Sequence, residues 1–264
     1  MEGARADHSS IDLWFNLVER DSSIGGGLLA GALAYRLFVW LLPTALLLVS
    51  GFGLYAGSVD KSPRTVVKEA GLHGLIASQV ASSASGQHRA VVFLLMVPAV
   101  LYATVALYRA IAKVHAIAWL GSGRGVRITS KGVALFGGGL VMQLIAFALV
   151  TWARRGSQLG GLFALLAYVV LVGGAWVLVS RKLPHRRVRW PALVPGALLL
   201  GVGLLVINAF NIYVTTRLVE DRANTYGALG VATALLFSLV LVGRLMVASA
   251  ELNAAIDEQR GQKH

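Results

Sequence analysis

The sequence predicts an all-α, polytopic membrane protein built as a six-transmembrane-helix bundle. Of its 264 residues, 56% are hydrophobic and only 14% are charged, whereas a soluble domain carries about 25% charged residues. Six apolar stretches are long enough to cross a bilayer, which takes about 20 helical residues. The bases are distributed unevenly among the loops, as expected when some loops are cytoplasmic and others external.

The six predicted spans make up a membrane domain over residues 25–250. Their bounds are 25–56, 90–108, 132–152, 159–180, 191–217 and 226–250. Pro43 lies in the first span and Pro98 in the second. A proline removes one helical hydrogen bond and favours a kink, so Pro43 is a candidate for gating, by freeing carbonyl groups to line a cavity, or for a purely structural bend.

Amphipathic helices are predicted outside the spans. The N-terminal segment 1–24 has apolar residues at helical spacing and suits the membrane surface. The external loop 57–89 contains Pro63 at a suitable first-turn position for a helix. Residues 109–119 continue the second span as a cytoplasmic helix, and 251–264 form a cytoplasmic tail.

The loop bases predict the orientation. Fourteen of the 24 Lys and Arg residues fall on the side that holds both termini, eight on the other, and Arg36 and Arg244 inside spans. Basic loops stay cytoplasmic, so both termini are predicted in the cytoplasm of a multi-pass membrane protein. The oligomeric state stays open, with a homo-oligomer as one option.

One basic loop stands out between the fourth and fifth spans. It is a topology anchor and a candidate contact for anionic lipid headgroups, which attract each nearby base by about 1 kcal/mol. Nucleic acid is not a predicted partner, because no aromatic platform interleaves the bases. The bases of the loop are Arg181, Lys182, Arg186, Arg187 and Arg189.

Arg36 and Arg244 are the sharpest functional clue. A cation in hydrocarbon is costly and indicates a functional site, and the apolar runs contain no carboxylate. At 1.5 Å per residue the two lie about 12 Å and 10 Å inside the first and sixth spans. The expected partner is a backbone carbonyl, water or a bound anion, and Glu251 is the nearest internal counter-charge. The alternative is that both side chains extend toward the interface.

Other polar residues complete the predicted site. Tyr35, Asn208, Asn211 and Gln143 are candidates to donate or accept hydrogen bonds to the substrate in the same interior. Glu251 and Asn253, at the end of the sixth span, are predicted to organise the cytoplasmic mouth.

No catalytic residue, metal or cofactor is predicted. Cysteine is absent and the six histidines are dispersed, so the ligand spacing of a metal hydrolase is missing. The glycine-rich stretches lack the Gly-Lys-Ser/Thr ending of a phosphate loop. A membrane-embedded hydrolase is therefore the least favoured class.

Several motifs resemble one family. Ala32-Leu33-Ala34-Tyr35 followed by Pro43 resembles its N-terminal signature. Its connection between the fourth and fifth spans is resembled by Leu183-Pro184, Val188-Arg189-Trp190 and Pro195-Gly196-Ala197. The start of its last span is resembled by Tyr226-Gly227-Ala228-Leu229-Gly230. The most specific is Ala250-Glu251-Leu252-Asn253-Ala254, at the end of the last span. The chain is thereby identified as similar to the YihY/BrkB family, once mislabelled ribonuclease BN.

The resemblance implies six spans, a bacterial inner membrane and a role in moving small solutes or lipids. Together with the arginines, it predicts a transporter or translocase-like protein, not an enzyme, for an anionic or zwitterionic solute or lipid. The alternative is a non-transporting scaffold that binds lipids or proteins. A solid bundle with an apolar groove open to lipid would favour that alternative.

Overall fold

The computed structural model describes residues 9–58, 89–153, 158–186, 188–210 and 216–261. Each regular element within these ranges is a helix. In chain order they are α1 (Ser9–Ile24), α2 (Gly26–Ser58), α3 (Arg89–Leu120), α4 (Ser130–Ala153), α5 (Gln158–Ser180), a 3₁₀ turn (Trp190–Leu193), α6 (Val194–Phe210) and α7 (Thr216–Gly261).

The helices confirm an all-α, polytopic membrane protein. Five of the described segments are long and apolar enough to cross a bilayer: Gly26–Tyr55, Ala90–Leu120, Phe163–Ser180, Trp190–Phe210 and Leu235–Gln259. The remaining predicted span, the third at 132–152, corresponds to α4, a 24-residue apolar helix.

Helix bounds differ from the predicted spans in three places. The fifth span is predicted to end at 217, whereas α6 ends at Phe210 and α7 begins at Thr216. The second span continues without a break to Leu120, so the predicted helix over 109–119 extends the span itself. The last span belongs to a 46-residue helix that runs from Thr216 to Gly261, because no glycine or proline breaks its polar ends. Most of the predicted external loop lies outside the described residues, as does Asn211.

The packing order places the first and last spans side by side. α2 packs against both α3 and α7, and α3 also touches α7. α6 joins α7 to α5, which in turn packs against α4. α1 lies against α7 and the start of α2. The end of the bundle that carries α1, the 181–189 loop and the C-terminal part of α7 is called the α1 end below.

The buried core is concentrated toward the α1 end. The largest fully buried side chains there include Leu33, Leu107, Trp119 and Val247. They come from the first part of α2, the second part of α3 and the second part of α7. These segments of α2, α3 and α7 are therefore closely packed against one another at the α1 end.

Large apolar side chains cover much of the outside of the bundle. Leu28, Leu94, Tyr102, Phe163 and Val170 are among those that are mostly exposed. Such a surface would be an aggregation liability in water, but it matches the hydrocarbon of a bilayer.

Both intramembrane prolines lie within unbroken helices. α2 continues through Pro43 and α3 through Pro98. Next to Pro43, the Thr44 hydroxyl donates to the Trp40 carbonyl at 2.8 Å. The Trp40 indole N–H donates to Thr104 Oγ1 at 2.9 Å and links α2 to α3. Hydrogen bonds on both sides of the proline therefore favour its structural role over a break in the helix.

Candidate functional site

Arg36 and Tyr35 face away from the core of the bundle. The buried apolar residues of α2 around this position are Ala30, Leu33, Ala34 and Leu37, which form a stripe at helical spacing. Both Tyr35 and Arg36 lie off this stripe and are exposed. Within the described ranges the Arg36 guanidinium makes no hydrogen bond or ion pair. The structure thus turns Arg36 toward the surroundings of the bundle.

Arg244 has a carboxylate partner that the apolar runs do not reveal. Its two terminal nitrogens donate to the two carboxylate oxygens of Asp21, each at 2.6 Å. This bidentate geometry is the strong form of an Arg–carboxylate pair. The expectation that Glu251 is the nearest counter-charge is therefore wrong. Asp21 belongs to α1, which folds back against α7, so its carboxylate reaches the sixth span from outside it.

Two glycines allow α1 to fold back. Gly25 has φ +67°, a conformation that glycine adopts without the steric penalty of a side chain. A Cβ at Gly26 would collide with the Asp21 carboxylate and would lie 2.9 Å from an Arg244 nitrogen. The Gly25-Gly26 corner therefore places Asp21 directly beside Arg244.

Glu251 lies buried behind this ion pair. The residue is 3% exposed, and its Oε1 has no hydrogen-bond partner in the described part of the chain. It interacts electrostatically with Asp21, Arg244 and Arg20. A buried carboxylate in a membrane span is costly and marks a functional site by default. Asp21, Arg244 and Glu251 are called the charged triad below.

A second ion pair holds α1 further along α7. Arg20 donates to Glu258 at 2.7 Å and to the carbonyl of Ala118 at the end of α3. Glu258 also pairs with Arg186 at 3.6 Å. Arg244, Glu251 and Glu258 follow one another at seven-residue spacing, which keeps them on one face of α7. α1 is thus fastened to α7 by charges on both sides of Glu251.

Asn253 has a structural role at the same end. It is fully buried, and its Oδ1 accepts the Gly196 N–H at 2.7 Å while its Nδ2 donates to the Leu193 carbonyl at 3.2 Å. The Ser249 hydroxyl donates to the Gly196 carbonyl at 2.8 Å. α7 therefore binds the turn between the 3₁₀ segment and α6, and the Ala250–Ala254 motif contacts the Pro195–Ala197 motif.

Gly196 is required by this close approach. A Cβ there would collide with the Ser249 carbonyl and would lie 2.6 Å from Asn253 Nδ2. On the other side of Ser249, the Trp176 indole N–H donates to its hydroxyl at 3.0 Å. The fully buried His115 ring packs edge-on against Trp176, with centroids 5.8 Å apart. α3, α5, α6 and α7 are thereby joined through one polar and aromatic cluster.

The remaining predicted polar residues are not gathered at the charged triad. Gln143 donates to the Tyr168 hydroxyl, a contact between α4 and α5. Asn208 is half-buried in α6. Among the described side chains, no group of three His, Asp or Glu residues is arranged to hold a metal ion.

Sequence reasoning missed Asp21, Arg20, Ser249 and Trp176. One signal was available for the charged residues: the seven-residue spacing of Arg244, Glu251 and Glu258 predicts a charged stripe that needs a partner helix. Ser249 and Trp176 carry no pattern that separates them from ordinary span residues. Only the packing of α5 against α7 reveals their bond.

Breaking the Asp21–Arg244 pair is expected to destabilise the protein modestly. Arg244→Gln leaves Asp21 facing Glu251 without the Arg244 cation between them, and Asp21→Asn in the same chain relieves that repulsion. With the Arg244 side chain 46% exposed, we expect a coupling of about 1 kcal/mol. Thermal unfolding of the two single variants and the double variant measures it. Arg36→Gln, which loses the same charge but no described partner, is the control. Strictly additive effects would contradict the pairing.

The fold and site define a polytopic α-helical membrane protein whose first and last spans pack side by side and whose last span is ion-paired to the N-terminal helix α1. No curated protein and no solved structure matches the chain. A family model described as "Virulence factor BrkB" matches residues 18–264. The chain therefore belongs to the BrkB family, as its motifs indicate, and the matched region includes the whole charged triad.

Proposed function

We propose that this BrkB-family protein is a transporter or translocase for an anionic or zwitterionic small solute or lipid. The observation that carries the proposal is the charged triad: a bidentate Arg244–Asp21 pair beside a buried Glu251 with an unpartnered oxygen. Ionisable groups within spans mark substrate and ion pathways more often than they serve stability.

Asp21 takes the position that an anionic substrate group would occupy. A carboxylate or phosphate would satisfy the two Arg244 donors as Asp21 does, so the substrate exchanges for Asp21 without a change in charge. Release of Asp21 frees one of the two attachments of α1, while Arg20 still holds Glu258. In this scheme α1 covers the opening of the pathway and is released when Asp21 dissociates. The closely packed core at the α1 end then corresponds to the closed state.

The proposal includes the location: the bacterial inner membrane, with the α1 end in the cytoplasm. The excess of bases in the loops at this end supports that orientation. Arg36 has a secondary part in this scheme, as an exposed cation on α2 that attracts the anionic group before it reaches Arg244.

A flux assay in proteoliposomes tests the proposal. The probes are carboxyfluorescein, NBD-phosphatidylglycerol and NBD-phosphatidylcholine, which represent an anionic solute, an anionic lipid and a zwitterionic lipid. We expect at least one to move faster than in protein-free liposomes. Arg244→Gln should slow that movement by a factor of about 10 to 150, as expected for a lost charge-assisted contact of about 1.5–3 kcal/mol.

Further variants distinguish the role of Asp21, which holds α1, from the role of Arg244, which binds the substrate. Asp21→Asn should lower KM, because the substrate no longer competes with an internal carboxylate. Lys113→Gln, an exposed cation on α3, is the charge-matched control and should transport like the wild type. Failure of all three probes to move, or unchanged flux in Arg244→Gln, would refute the proposal.

A lipid-binding scaffold is the second candidate, because apolar grooves open on the outside of the bundle. One of about 490 Å³ lies between α5 and α6, and one of about 350 Å³ between α4 and α5. A scaffold would bind lipid without moving any of the three probes.

A further inference from the structure

The larger outer groove runs along α5 toward the α1 end. Its lining extends from Val169 on α5 to Arg181, the residue after this helix, and includes Trp190, Val194 and Leu198 on the other side. Twelve residues of helix span about 18 Å at 1.5 Å each. One leaflet of the hydrocarbon core is about 15 Å thick. The groove therefore has the length of one lipid acyl chain.

Close backbone contacts hold α5 and α6 together beside the groove. A Cβ at Gly173 would lie 3.4 Å from the Ala197 carbonyl oxygen, and one at Gly201 would lie 3.2 Å from the Val169 carbonyl oxygen. Small residues let two membrane helices approach in this way. Gly174 beside them has open space where its Cβ would stand. The missing side chain at Gly174 thus leaves the groove open.

A cation and an amphipathic ring stand at one end of the groove. Arg181 directly follows α5, where a positive charge is favoured by the helix dipole, and its guanidinium has no carboxylate partner among the described residues. Trp190 is 60% exposed, and tryptophan is enriched at the level of lipid headgroups. The segment 181–190 contains no acid. The groove is therefore apolar along its length and positive at its headgroup end.

We propose that this groove binds one glycerophospholipid, with an acyl chain along Gly174 and the phosphate at Arg181. The charge pattern matches that occupant: a long apolar chain joined to an anionic head. The groove between α4 and α5 has no charged residue in its lining, so it lacks the headgroup contact and serves as an internal comparison. The proposal does not rest on transport, since it concerns the outer face of α5 and not the charged triad.

Native mass spectrometry of the purified full chain with added phosphatidylglycerol tests the site. We expect the wild-type protein to retain one lipid molecule more tightly than any other lipid molecule bound to it. Arg181→Gln should weaken that binding five- to tenfold by removing the phosphate contact. Gly174→Leu should abolish it by filling the groove, while thermal unfolding stays close to wild type because the Cβ meets open space.

Matched controls distinguish a built site from general attraction. Lys182→Gln removes an exposed neighbouring charge outside the groove lining. Gly138→Leu places the same side chain at an equally open position in the α4–α5 groove. Both should bind like the wild type. The proposal would be overturned if Arg181→Gln and Gly174→Leu bound lipid as tightly as the wild type. It would also be overturned if the two controls lost as much binding as these variants. A second copy of the chain or another protein seated on the groove would likewise overturn it.

The outcome is independent of the charged triad. Arg244→Gln should retain the bound lipid even where it stops flux, so failure of the lipid site and failure of transport are separately visible.

Discussion

Asn253→Ala is expected to destabilise the protein by about 2–4 kcal/mol. The change removes the acceptor for the Gly196 N–H and the donor for the Leu193 carbonyl. Both groups are buried, and each buried polar group left without a partner costs about 1–3 kcal/mol. Denaturant titration or thermal unfolding in detergent measures the loss.

Two further variants make this prediction specific. Asn253→Asp keeps an acceptor for Gly196 but loses the donor to Leu193 and adds a buried charge, so it should be at least as harmful. Asn208→Ala, at a half-buried position with no described hydrogen bond, is the matched control and should change stability by less than about 0.5 kcal/mol. Equal stability of Asn253→Ala and Asn208→Ala would show that the α6–α7 junction does not depend on the amide.

Gly243→Ala is expected to separate the first and last spans. A Cβ at Gly243 would lie 2.5 Å from the Ala30 carbonyl oxygen and 3.3 Å from the Ala34 nitrogen. Both are backbone atoms of α2, so no side-chain rotation relieves the collision. Overpacking of this kind typically costs about 1–3 kcal/mol. We expect lower thermal stability and, since Arg244 is the next residue, a weaker Asp21–Arg244 pair.

Gly31→Ala is the control for Gly243→Ala. Gly31 lies on α2 next to Ala30, but its Cβ would meet open space. Alanine favours a helix over glycine by about 1 kcal/mol, so this variant should be neutral or slightly stabilising. The α2–α7 contact would be in doubt if both glycine variants behaved alike in an unfolding measurement.

The spans were predictable because a bilayer imposes a simple requirement. Every backbone polar group in hydrocarbon must be satisfied within the chain, which leaves the helix as the local solution. A run of about 20 apolar residues therefore predicts both a helix and its location in the bilayer. α2 and α5 begin and end within a few residues of their predicted bounds for this reason.

The partners of the charges were not predictable by the same rule. From sequence alone Arg244 appears unpaired because its own apolar run contains no acid, yet Asp21 lies four residues before Gly25, where a glycine corner turns α1 back. The position of that carboxylate depends on the direction of the chain after Gly25. Similarly, the Ala250–Ala254 motif was recognisable, but the contact between Asn253 and Gly196 required the packing of α7 against α6.

The sequence by itself determined the class of the protein, the family resemblance, the positions of the spans and the two arginines inside them. Those properties are local, since hydropathy and motif identity belong to contiguous residues. Only the tertiary structure decided that Arg36 faces outward and that Arg244 pairs with Asp21. It also decided that Arg181 stands at the end of a lipid-length groove. These features depend on which helix faces meet, and small residues such as Gly26, Gly196 and Gly243 set that through close backbone approach.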